Sequence, residues 1–157
     1  MLIAAGCGFR PMYGTLPGSV DTNEALRRIA VPPIPERTGQ LLRIELGEQL
    51  NPSGVTVTPA YVLAVDLRES KQNLAVRKDD TATRANLIIV AKFELSDVQT
   101  HGVVLEGRVR SSNSYDILDA QFATLSAEND ARRRAARDIA AEIRSRLGAY
   151  LARSSAS

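Results

Sequence analysis

The sequence predicts an α+β fold, a mixed four-stranded sheet with two helices packed on one face in the order β-α-β-β-β-α. Three observations predict it. From Ala85 to Leu95 every second residue is apolar, the period of a strand with one buried face. Ala131, Ala135, Ile139, Ile143, Leu147 and Leu151 recur four residues apart, the spacing of one helix face. Pro32, Pro33 and Pro35 separate a short alternating segment from a leucine-bearing helical one, the punctuation of a strand followed by a helix.

The elements follow in chain order. Residues 14–23 are turn-forming and poor in core residues, so they read as a linker. Arg27 to Ile34, with Ile29 and Val31 alternating, reads as the first strand. A helix then starts with Thr38 as its cap and carries Leu42, Leu46 and Leu50 on one side. Asn51-Pro52-Ser53-Gly54 stops it. Val55, Val57, Tyr61, Leu63, Val65 and Leu67 share one parity and read as a second strand, at an edge or bulged where Pro59 falls. Glu69 to Asn73 is a polar break, after which Leu74 and Val76 resume the strand. Lys78-Asp79-Asp80-Thr81 makes a turn.

The third strand has Ala85, Leu87, Ile89, Ala91, Phe93 and Leu95 inward, with Arg84, Asn86, Ile88, Val90, Lys92 and Glu94 outward. After the turn Thr100-His101-Gly102, the fourth has Val103, Leu105 and Val109 inward and Glu106, Arg108 and Arg110 outward. Its inward parity runs on through Ser111 and Asn113 to Tyr115 and Ile117, which makes it long. The last helix takes Ser126 as N-cap, or starts earlier at Phe122 or Leu125, and its charged sides read as a solvated face with Glu128-Arg132, Arg134-Asp138 and Glu142-Arg146 pairs. A right-handed crossover between the first two strands, followed by antiparallel pairing, places both helices on one sheet face and leaves the other open.

Composition sets bounds on function. At 157 residues the chain has the size of one domain, divided here into a residual signal peptide (1–6), an N-terminus and linker (7–24), an α+β domain (25–153) and a tail (154–157). A net charge of +2 is too small to argue for nucleic acid, and the arginines of the last helix are interleaved with acids and lack aromatic company. No nucleic-acid partner is expected. One cysteine excludes an internal disulfide and every multi-cysteine metal site. No run of eighteen apolar residues is present, so no helical membrane span is expected.

An enzyme reading finds little chemistry. His101 is the single histidine and sits beside Gly102 in a turn, a solvated position rather than that of a general base. There is no glycine-rich phosphate loop after a strand, and the adjacent Asp79 and Asp80 suit a turn for local hydrogen-bonding reasons. Neither a catalytic site nor a cofactor is expected. The basic residues of the meander are more informative. Arg77, Lys78 and Arg84 flank one turn, and Lys92, Arg108 and Arg110 share the outward parity of neighbouring strands. Guanidinium forks and ammonium charges beside apolar surface suit an amphiphile with a phosphorylated head and acyl tails. The plainer reading is a charged, solvated sheet face.

At the N-terminus, a short apolar run ends on Ala5 and Gly6 and then on Cys7. Small residues before a cysteine are the cleavage end of a bacterial lipoprotein signal, which makes Cys7 the lipidated first residue of the mature protein. Six residues precede it, fewer than a full signal peptide needs, and Ala4 stands where leucine is favoured. The alternative role for a lone cysteine is that of a small buried hydrophobe.

Cys7-Gly8-Phe9-Arg10-Pro11-Met12-Tyr13-Gly14 closely resembles the mature N-terminus of the LPS-assembly lipoprotein family LptE in its alphaproteobacterial form. Ala82-Thr83-Arg84-Ala85-Asn86-Leu87, Ser112-Asn113-Ser114-Tyr115-Asp116 and Asp130-Ala131-Arg132-Arg133-Arg134-Ala135-Ala136 resemble later stretches of the same family, so the likeness runs from Cys7 to about Leu151. The resemblance implies a sheet with two helices on one side and an outer-membrane lipoprotein on the periplasmic side, held by N-terminal lipid. It also implies two partners, the LptD barrel, which such proteins plug and help assemble, and lipopolysaccharide. Only Cys7 carries over as a matched functional position. Arg77, Lys78, Arg84, Lys92, Arg108 and Arg110 remain candidates from strand parity. The competing readings are a generic envelope lipoprotein that binds another protein without lipopolysaccharide affinity, and a small soluble nucleic-acid binder.

Overall fold

A computed structural model describes residues 22–76 and 82–155, with no side-chain description for residues 75, 76, 82 and 83. Its elements are α1 (Thr22–Arg27), β1 (Ile29–Ala30), α2 (Glu36–Leu50), β2 (Tyr61–Val76), β3 (Ala82–Asp97), β4 (Val103–Asp116) and α3 (Gln121–Ser154). The sheet order is β1-β2-β3-β4, with β1 parallel to β2 and the other pairs antiparallel. This is the mixed four-stranded α+β architecture that the residue pattern predicts, with one short helix added at the start.

Parity decides the two faces. The six odd-numbered residues from Ala85 to Leu95 are all buried, and so is the whole α3 stripe from Ala131 to Leu151. Leu42 and Leu46 of α2 and Leu63 of β2 are fully buried in the same core. At about 25 cal/mol per Å² of apolar surface, each large side chain here contributes roughly 2 kcal/mol against chain entropy. Alanines 131, 135, 136 and 140 carry no bulk beyond Cβ, which lets the α3 axis approach the sheet and α2 closely. Gly107 of β4 serves the same end. It is the register partner of Phe93, and a β-carbon there would lie 2.7 Å from the Phe93 ring.

Several boundaries differ from the sequence reading. The first strand is two residues long rather than spanning Arg27 to Ile34, because α1 takes the chain up to Arg27 and the prolines remove ladder donors soon after Ala30. That same helix begins at Thr22, inside the stretch read as linker. Thr38 is not a cap: α2 starts at Glu36 behind Pro35 without a side-chain cap bond, and Thr38 lies buried within the helix. Val55 is exposed outside the sheet, and β2 begins only at Tyr61, beyond Pro59. The polar residues Glu69 to Asn73 do not break β2, which runs through them with a register shift after Asn73. Helix α3 starts at Gln121, beside the earlier start that Phe122 allows and not at Ser126, again without a side-chain cap bond.

The β3–β4 connection falls where expected. Asp97 accepts from the backbone N–H groups of Gln99 and Thr100 at 2.8 Å each, and the bonds from Thr100 and Gln99 hold its carboxyl below the usual aspartate range. His101 takes φ 56° in this turn and is exposed. Cys7, Arg77, Lys78 and the turn at 78–81 lie outside the described residues.

Candidate functional site: the open face of the sheet

The even-numbered residues of β2, β3 and β4 form the face that carries no helix, and their register fixes cross-strand rows. Asp66 lies beside Lys92 and Lys92 beside Arg108; in the next row Val90 stands between Arg68 and Arg110. Beyond it Ile88 stands between Ser70 and Ser112, and Arg84 pairs with Asp116. Of the predicted basic candidates, the structure therefore brings Lys92, Arg108 and Arg110 together. Arg84 sits eight residues along β3 from Lys92, at the far end of the face.

Directly opposed residues on antiparallel strands hold their Cβ atoms about 4.5–5.5 Å apart, and like charges so placed repel. Lys92 and Arg108 are such a pair. Lys92, Arg108, Arg110 and Arg68 are all exposed, and among the described residues no carboxylate closes an ion pair with any of them. Arg84 differs, because its Nε donates to Asp116 Oδ1 at 3.1 Å. That partner occupies one side of its fork and makes it the weakest anion site of the four described candidates.

Arg68 is not among the residues that the sequence singles out. It shares the even parity of β2, but the basic pattern stands out on the third and fourth strands, and only their register brings β2 beside them. The centre of the face is apolar: Val90 is half-buried, and Ile88 is 6% exposed although no helix covers it. Four cations without a carboxylate partner among the described residues, set around a small apolar strip, form a surface suited to phosphates carried on an apolar body.

On the covered face the structure gathers a polar cluster that periodicity does not reveal. Arg132 of α3 donates through Nε and Nη2 to Glu69 of β2, with Nη2 2.9 Å from Oε1, and also to Glu128 one turn back. Lys71 Nζ approaches Glu128 at 2.6 Å, Thr38 Oγ1 donates to Glu69 Oε2 at 2.8 Å, and Tyr115 Oη donates to Glu128 at 3.3 Å. Burial alone would raise the Glu128 carboxyl, but Lys71 and Arg132 outweigh it and leave the group below its usual range. Burial, then the Glu128 charge, pushes the Tyr115 phenol up. The bonds to Glu69, set against burial, raise Arg132 further. Every member of the cluster finds a partner, and together they fasten α2 and α3 to β2.

The α3 charges are thus only in part the solvated face that was expected. Glu142 and Arg146 pair as predicted, at 2.8 Å, and Glu128 pairs with Arg132. Asp138 instead accepts from Ser111 and Asn113 of β4, while Arg134 bonds to Asn113 and to the backbone of Ser114.

Residues 26–147 match the family model LptE, described as lipopolysaccharide-assembly. The chain belongs to the LptE family. A candidate lipoprotein from Caulobacter crescentus CB15, solved by crystallography, is 26% identical, with a TM-score of 0.71 over 83% of this chain and 96% of that one. The minor lipoprotein from Acinetobacter baumannii is 20% identical, with a TM-score of 0.62 over 78% of this chain and 92% of the other. Rare lipoprotein B from Shewanella oneidensis is 13% identical, with a TM-score of 0.59 over 77% and 92%. At these identities the last two establish a shared fold. No curated relative matches the chain. The LptE assignment accounts for the sheet with helices on one side, and it places the chain among lipopolysaccharide-assembly lipoproteins of the cell envelope.

Proposed function

We propose that this LptE-family chain is an outer-membrane lipoprotein, lipidated at Cys7 and facing the periplasm, which sits in the LptD barrel, helps it assemble and binds lipopolysaccharide during export. The observation that carries the binding half is the opposed pair Lys92 and Arg108, flanked by Arg68 and Arg110 around Val90, none of the four closing an ion pair with a described carboxylate although Asp66 is the register neighbour of Lys92. Two cations held side by side on a rigid sheet lose their mutual repulsion when a phosphate docks between them. The acyl chains of the same ligand then have Val90 and the stems of the arginines to lie on. Arg77 and Lys78, between β2 and β3 in the chain, and Arg84 are further candidates of lower weight.

The lipid half rests on Cys7. Several acyl chains hold a protein stably to a bilayer, at about 0.8 kcal/mol per buried CH2, where one chain holds it only marginally. The test is a pull-down from membranes of the native organism, with the full-length gene, a C-terminal tag and a Cys7→Ala control. The reading expects a large outer-membrane barrel protein with the wild type and less of it with the control. A wild-type chain that stays in the soluble fraction and brings down no barrel overturns it. A barrel recovered without any lipopolysaccharide affinity would favour a generic protein-binding lipoprotein.

A further inference from the structure

The sheet has two long edges without a neighbouring strand, β2 beyond the two residues that pair with β1 and the whole of β4, and helix α3 sets two arginines on the second. Strand β4 is 14 residues long and lies outermost in the sheet order. Its odd-numbered residues face β3 with their backbone groups, so the N–H and C=O groups of the even-numbered ones point outward, as the unpaired row of an edge strand. Two of those outward carbonyls are taken by side chains from α3. Arg146 donates through Nη1 to Arg108 O at 3.0 Å, and Arg134 donates through Nη2 to Ser114 O at 3.2 Å. Arg146 reaches the edge over Gly107, where a β-carbon would lie 3.4 Å from its Nη1.

The edge so held would pair well with itself. Antiparallel addition of a second copy about a two-fold axis at Ser112 sets Ser112 against its own equivalent, Arg110 against Ser114 and Arg108 against Asp116. On the other side Val109 meets Tyr115. No like charges oppose each other, and the cation of Arg108 meets a carboxylate. The axis moved two residues to Arg110 would set arginine against arginine. In the Ser112 register both Arg108 O and Ser114 O must accept from the partner strand, and these are the two carbonyls that α3 occupies.

We infer that Arg134 and Arg146 form a clasp that closes the β4 edge against strand addition by a second copy of this chain. With the clasp in place the chain stays monomeric. Without it, two copies join β4 to β4 about Ser112 into one continuous sheet.

The experiment is sedimentation velocity on the full chain from micromolar to near-millimolar concentration, with far-UV circular dichroism as a check of fold. Wild type is expected as monomer, and Arg134→Ala with Arg146→Ala as dimer. Adding Ser112→Pro to that double variant restores the monomer, because the lost N–H points outward and serves no bond to β3. A second measurement keeps the register testable. With Cys7→Ala in place, Ser112→Cys cross-links two copies under oxidation in the clasp-free variant, since residues facing each other on a two-fold sit about 5.5 Å apart at Cα, within disulfide reach. Arg110→Cys does not. A folded double variant that remains monomeric, or one that associates without the cross-link from Ser112→Cys, overturns the inference.

Discussion

Arg132 on α3 closes on Glu69 of β2 across 63 residues of sequence, with Nη2 2.9 Å from Oε1 and Nε also donating. The contact joins the long helix to a strand segment whose polarity, taken by itself, reads as a break in the strand. Thr38 brings α2 to the same carboxylate. One glutamate thus holds three elements, and Arg132 pairs with both it and Glu128, with Lys71 as the second cation that balances the two carboxylates.

Arg132→Ala leaves Glu69 and Glu128 facing each other, with Lys71 as the remaining cation near them. The side chains of Arg132, Glu69 and Glu128 are 13–21% exposed, so the loss falls below that of a fully buried pair, at about 2–3 kcal/mol. Urea denaturation of the variant should show a lower midpoint with an unchanged slope.

The pH dependence follows from groups with opposite shifts. Glu128 titrates below its ordinary 4.5 in the fold, so the unfolded chain binds the proton more readily. Its contribution is present above about pH 4.5 and is lost as pH falls through the folded value. Asp97, also lowered, acts with the same sign. The Tyr115 phenol is raised above 10.0, so its contribution is present below about pH 10 and is lost as pH rises through the folded value. Thermal melts across pH should fall at both ends, with Glu128→Gln flattening the acid limb and Tyr115→Phe the alkaline one.

Two glycines should respond oppositely to alanine. Gly107→Ala drives a methyl to 2.7 Å from the Phe93 ring in the middle of the core, and costs about 1–3 kcal/mol. Gly47 lies on the exposed side of α2 with open space around it, so Gly47→Ala gains up to about 1 kcal/mol from helix propensity. Equilibrium melts of the two variants check both signs.

Much of this fold is legible in the sequence because it is periodic. Ala85 to Leu95 and Ala131 to Leu151 repeat at 2 and 4 residues, and each repeat marks a buried face. The ends are less legible. Helices α2 and α3 start behind Pro35 and Ala120, neither of which offers a side-chain oxygen to signal a cap, so Thr38 and Ser126 stand out in their place. Helix α1 is only six residues long, and its amphipathic pattern has no room to repeat. The Glu69 cluster is illegible for a different reason: its partners come from three separate elements, and no local pattern encodes a pairing of that range. On the candidate face, parity finds Lys92, Arg108 and Arg110, but their adjacency to Arg68 depends on strand register, which the sequence does not spell out.

The central claim is that this open face takes the phosphates of lipopolysaccharide. Its most direct measurement is the affinity of purified lipopolysaccharide for the full chain, compared between wild type, a Lys92→Ala, Arg108→Ala, Arg110→Ala variant and a control, Arg133→Ala with Arg137→Ala, on the exposed side of α3. The account predicts that the triple variant binds at least about tenfold more weakly, some 1.4 kcal/mol, while the control binds as wild type. A folded triple variant with unchanged affinity, or a control that loses as much, contradicts it.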